Sequence, residues 1–187
     1  MTNFWKQPGV PHKGWSLIDV IDIRDYGQGE EDTEFETCIM CGHEKIRYVH
    51  IVEHQEIDEE FRVGCVCAEN MTNDYVNPGK KERNLRNRAN RRNNWSKRNW
   101  KISQKGNLYL KIDTHLIVIF EERKSKKYKV MIDKVVGNMT FESIELAKLG
   151  AFLGVEYFKD WASGENTPID QNDEKQFTLP GEGLNII

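Results

Sequence analysis

All four cysteines of this chain fall in one stretch, as C-I-M-C-G at 38–42 and C-V-C at 65–67. Thiols gathered this way pair, react or share a metal ion, and each outcome ties together segments that lie apart along the chain. The rest of the sequence narrows the choice. The opening MTNFWKQPGVPHKGW has no apolar core of about 7–15 residues behind a basic tip. The longest apolar run, Leu116 to Phe120, falls far short of the roughly 20 residues of a membrane helix. The expectation is therefore a cytoplasmic protein, in a reducing compartment where disulfides are disfavoured and metal binding is the usual reason to cluster thiols.

Zinc suits such a cluster. It takes four sulfur or nitrogen ligands in a tetrahedron, and a C-x-x-C turn ending in Gly lets two thiolates converge on one ion. If FRVGCVC (61–67) is extended, Cys65 and Cys67 point to the same side and complete the set. The expected ligands of a structural Zn²⁺ are thus Cys38, Cys41, Cys65 and Cys67, with His50 or His54 as alternates for Cys65. The bland alternative is four buried or reactive cysteines without metal.

Over residues 36–75 this arrangement resembles a treble-clef zinc finger, in which a knuckle like CIMCG leads into a hairpin and the second ligand pair sits at the start of a helix. The chain departs from that pattern at the second pair, where C-x-C replaces C-x-x-C. The resemblance implies a closed site that contributes folding energy and does no catalysis. Two enzymatic readings compete. His50-Ile51-Val52-Glu53-His54 matches the H-x-x-E-H of inverted zinc peptidases, which needs a helix where RYVHIV favours a strand. An HNH-type nuclease would use His50 or His54 with Asn70 or Asn73, but the usual Asp-His dipeptide is absent.

Charge is the second strong feature. The formal net charge is −3, yet Lys80 to Lys101 carries ten cations against a single acid, Glu82. Residues 1–37 and 38–79 each carry three cations against eight acids, and residues 138–187 carry three against nine. A helix over 80–100 would hold Leu85, Ala89 and Trp100 on a narrow stripe and cations nearly all round. A solvated helix normally intersperses acids for i,i+4 pairing; ten cations with one acid call for a polyanion. The expected partner is nucleic acid, DNA or RNA. The contacts would come from Lys80, Lys81, Arg83, Arg86, Arg88, Arg91, Arg92, Lys97, Arg98 and Lys101, and Trp95 and Trp100 would stack on bases or dock the helix. The alternative partner is an acidic protein surface, including the acidic segments of the same chain.

The remaining segments predict an α+β fold. WSLIDVIDI is a short strand or helix, IRYVHIV and FRVGCVC form a hairpin, and Pro78-Gly79 break the chain. NLYLKI, HLIVIFE, KYKVMI and VVGNM form an antiparallel meander with turns at Asp113-Thr114 and Lys124-Ser125. Ile144, Ala147, Ala151, Val155 and Phe158 then recur at helical spacing behind a Thr140 N-cap, giving a helix that covers one face of the sheet. The expected organisation is a zinc-binding module at 1–78, a basic helical linker at 79–101, a meander plus helix at 102–162 and an acidic, loosely ordered tail at 163–187. The expected function is non-enzymatic nucleic-acid binding on a zinc-stabilised scaffold. A protein-binding adaptor or inhibitor, then an HNH-like nuclease, are the alternatives.

Overall fold

The computed structural model describes residues 3–25 and 28–163. It is α+β, with one three-stranded and one five-stranded antiparallel sheet, and its packing divides it into two units, residues 1–89 and 90–187. The acidic tail expected from 163 lies, beyond Ser163, outside the described residues.

In the first unit β1 (Ser16–Asp22), β2 (Tyr48–His54) and β3 (Ile57–Val63) form a sheet in chain order. The β-branched run of β2 makes it the central strand: His50 lies opposite Val20 on one side and Val63 on the other. Below the sheet, Trp15, Met40, Val52, Phe61, Val63, Ala68 and Met71 make a core. Trp15 meets Phe61 at 4.6 Å between ring centroids, while its indole N–H donates to the Pro11 carbonyl at 2.8 Å. That hydrogen bond satisfies the one polar atom of a buried indole.

The extended reading of FRVGCVC holds only as far as Val63. Gly64 then serves as the N-cap of α1 (Cys65–Thr72), so Cys65 and Cys67 both lie on a helix. At 3.6 residues per turn, positions two apart diverge by about 200° around the axis. The two thiols therefore leave the backbone in opposite directions.

Helix α2 (Asn77–Trp95) begins earlier than the sequence suggests, because Pro78 and Gly79 fall inside its first turn. Proline is tolerated there, where its missing N–H has no helical partner in any case. Asp74 holds the entry: one carboxylate oxygen accepts the backbone N–H groups of Val76 and Asn77 at 2.9 and 3.0 Å.

In the second unit a short β4 (Lys101–Ile102), not foreseen from sequence, precedes the meander of β5 (Leu108–Ile112), β6 (His115–Glu121), β7 (Tyr128–Ile132) and β8 (Val135–Val136). Tight turns with positive φ at Asp113 and at Asp133-Lys134 join β5 to β6 and β7 to β8. Helix α3 (Ile144–Ser163) lies against β6 and β7 and buries Ala147, Ala151, Phe152 and Val155 over Leu110, Ile117, Ile119, Val130 and Ile132. Its N-terminus is capped by Ser143, whose hydroxyl accepts from the Leu146 N–H at 3.2 Å, and not by Thr140. Phe141, just after Thr140, instead bridges back to Tyr128 at the sheet edge, which delays the helix. No helix among the described residues is long and apolar enough to cross a membrane.

Candidate functional site

The knuckle at 38–42 is a closed turn. The Gly42 N–H donates to the Cys38 carbonyl at 2.8 Å, with Gly42 at a φ of 74°, and the Cys38 N–H donates to His43 at 2.8 Å. Two further strands of chain pin it in place. The Ile39 N–H donates to the Arg62 carbonyl on β3, and the Trp5 N–H donates to the Met40 carbonyl. Cys38 and Cys41 are thereby held against Cys67 in the first turns of α1, with the three sulfurs mutually within 4.8 Å. Cys38 and Cys67 are buried and Cys41 is exposed.

Their surroundings set two of these thiols apart. The Cys67 thiol donates to the Cys38 sulfur, with help from the Gly64 and Cys41 backbone N–H groups, and this holds Cys38 well below the usual thiol range, at about 5. The same contact, with burial, pushes Cys67 up. Three converging sulfurs fit the donor preference of zinc. Metal identity is a separate matter: the geometry is that of a possible metal site with Cys38, Cys41 and Cys67 as its protein ligands among the described residues.

Cys65 is not in that group. Its ligand atom lies within 4.8 Å of those of His50 and Glu82, in a second cluster within the same unit. Burial, with the Glu82 and Glu69 carboxylates nearby, pushes the Cys65 thiol up to about 12. The tetrad of Cys38, Cys41, Cys65 and Cys67 is thus divided, and His50 goes with Cys65 instead of replacing it. The place a second C-x-x-C would start is Gly64, where a Cβ would come within 3.2 Å of the Ile46 side chain.

His54 joins neither cluster. It stands at the end of β2, beside Trp15 at 5.2 Å, and its Nδ1 accepts the Glu56 N–H at 3.1 Å. Because 50–54 is a strand, His50 and His54 are separated by four strand residues, about 13 Å, too far to share an ion as H-x-x-E-H requires on a helix. Asn70 and Asn73 are occupied locally: the Asn70 amide donates to the Val66 carbonyl and accepts from Tyr75, and Asn73 is the left-handed C-cap of α1.

Along the basic segment, Lys80, Lys81, Arg83, Arg86, Arg88, Lys97, Arg98 and Lys101 are exposed, and Arg91 and Arg92 are half-buried. Ion pairs reach some of them. Arg86 meets Glu82 at 2.5 Å and lies over the Tyr48 ring, and Arg91 grips the buried Glu156 with two hydrogen bonds, at 3.2 and 2.5 Å. The tryptophans act as anchors. Trp95 is 4% exposed, donates from its indole to the Lys148 carbonyl at 2.7 Å and meets Phe152 edge-on. Trp100 packs beside it under the Lys148 ammonium. Of the two roles the sequence leaves open for these rings, packing against the core is the one the fold uses.

A feature that sequence reasoning passed over lies on the second unit. Arg98, Asn99, Lys101, Tyr109, Leu110 and Lys111 line a depression of about 400 Å³. Its signal was the alternation of LYLKI, which sends Leu108, Leu110 and Ile112 to one face and Tyr109 and Lys111 to the other.

Compared with known proteins, the chain matches no family model, no curated sequence and no solved structure.

Proposed function

We propose that this protein binds nucleic acid without catalysis, on a scaffold whose first unit is stapled by a zinc ion at Cys38, Cys41 and Cys67. The observation that carries the reading is the exposure of eight of the ten cations between Lys80 and Lys101. Phosphates are the natural neutralising partner for such a stretch, and each one contacted releases condensed counterions. The depression with Arg98, Lys101 and Lys111 around Tyr109 adds a second group of cations, with an aromatic side chain on which a base can stack. Tyr109 takes over, in this reading, the stacking role that Trp95 is too buried to fill.

The test is fluorescence anisotropy with labelled single-stranded DNA, duplex DNA and RNA at two salt concentrations. Affinity should fall steeply with salt, with a log–log slope of about −0.9 per contacted phosphate for duplex and about −0.7 for single strands. Changing Lys80, Lys81 and Arg83 together to Ala should weaken binding and flatten that slope by about 2–3. Absence of binding to all three probes at low salt removes the proposal.

A second reading, an adaptor for an acidic protein, is favoured by one observation. Val66, Tyr75 and Val76 are 69%, 59% and 68% exposed, and Lys80 and Lys81 follow closely in sequence. An adaptor would give little nucleic-acid affinity and would lose its partner on Val66→Asp or Val76→Asp.

A further inference from the structure

Outside the three-cysteine group, the first unit gathers a different set of donors around His50. This imidazole is fully buried in the middle of the sheet, and its Nδ1 has no hydrogen-bond partner. Its Nε2 lies 3.9 Å from a Glu82 carboxylate oxygen and 3.3 Å from the Pro78 carbonyl oxygen. The nitrogen turned toward Glu82 is Nε2, and it is the one an ion shared with that carboxylate would take.

The surroundings are rich in electron pairs. Cys65 opens α1 and Glu69 follows one turn later on the same face, so the Cys65 sulfur and a Glu69 oxygen stand 3.8 Å apart. Glu82 reaches in from α2. Its other oxygen holds Arg86, a 2.5 Å pair. Gly79, in the first turn of α2, leaves the space beside the sulfur clear: a Cβ there would lie 3.3 Å from the Glu69 oxygen and 4.0 Å from the sulfur. Two carboxylates, a thiol and an imidazole thus converge in one half-buried recess, a donor set suited to a metal cation.

We propose that His50, Cys65 and Glu82, with Glu69 as the fourth donor, form a second zinc site, separate from the Cys38–Cys41–Cys67 group. One nitrogen, one sulfur and two oxygens are all donors zinc accepts, whereas magnesium and calcium select oxygen alone. The ligand atoms of the first three lie within 4.8 Å of one another. Neighbouring ligands of a tetrahedral zinc with bonds of about 2.0–2.3 Å stand roughly 3.3–3.8 Å apart, so His50, Cys65 and Glu82 close on an ion with side-chain shifts of about 1 Å, while Glu69 swings in from beside the Cys65 sulfur. The ion would clamp β2, α1 and the start of α2 together. The site does not depend on nucleic-acid binding.

The full chain, stripped of metal and titrated with Zn²⁺, should take up two equivalents by native mass spectrometry. Co²⁺ in place of Zn²⁺ should show sulfur-to-cobalt absorption from both sites. Cys65→Ser and the near-isosteric Glu82→Gln, each checked for fold by circular dichroism, should each lose one equivalent and keep the other. Cys38→Ser should lose the other one. Two equivalents retained in both Cys65→Ser and Glu82→Gln overturn the second site, as does a wild-type chain whose single equivalent disappears in Cys38→Ser. A single equivalent that survives Cys38→Ser but not Cys65→Ser upholds the second site and refutes the three-cysteine one.

Discussion

At the scale of single residues, the division of the cysteines has consequences that distinguish one thiol from the next. In metal-free protein the neighbouring Cys67 thiol holds Cys38 below the usual thiol range, at about 5, whereas Cys65 is pushed up to about 12, so Cys38 is expected to ionise well before Cys65. A pH titration of thiolate absorbance should therefore show a thiolate at pH 7 that disappears on acidification through pH 5 and is absent in Cys38→Ser. If absorbance at pH 7 is the same in wild type and Cys38→Ser, this assignment is wrong. Trp95 shows how a residue that looks like a ligand contact can be structural. Its ring is in the core with Phe152 and its indole N–H is spoken for by Lys148. Trp95→Ala should cost about 3–5 kcal/mol in urea unfolding, the range for removing a buried large aromatic. A loss of nucleic-acid binding at unchanged stability would contradict that role.

At the scale of elements, the switch from strand to helix at Gly64 decides the chemistry of the first unit. Had the strand continued, Cys65 and Cys67 would share a face; one residue of extended N-cap followed by helix sends them to two different clusters. The second unit depends on a different local device. Gly150 lets α3 approach the sheet edge so closely that a Cβ would overlap three atoms of the Phe141 ring. Gly150→Ala gains about 1 kcal/mol of helix propensity. Because turning the ring cannot relieve three contacts at once, overpacking near the upper end of about 1–3 kcal/mol should outweigh that gain. Thermal melting of Gly150→Ala checks this, and a higher melting temperature than wild type would show that the helix simply shifts. Helix α2 ends at Trp95, short of the Trp100 that the sequence places on its stripe; Leu85 and Ala89 are half-buried and buried as that stripe suggests, and Trp95 is the buried ring that ends it.

At the scale of the whole molecule, each unit has its own apolar core, and both candidate metal clusters belong to the first. Removing metal with a chelator should therefore reduce amide-exchange protection across residues 38–72 while protection across 108–132 persists. Equal loss in both regions would mean that the clusters are not what stabilises the first unit. The sequence by itself determined a good deal: the meander, from its alternating runs and turns; the helix over the sheet, from its apolar spacing; the knuckle, from C-x-x-C-G; and the crowding of positive charge between 80 and 101. These are properties of short windows, where periodicity and composition act directly. What tertiary structure alone decided was which side chains meet. Glu82 is the lone acid in a basic run, and only the docking of α2 beside β2 brings it to His50. Glu156 is far along the chain, and only the packing of α3 brings it to Arg91. Cys65 and Cys67 have the same type and nearly the same address, but their opposite directions from one helix axis separate them, and direction is set by the dihedral angles at Gly64, which no count of residues between cysteines contains.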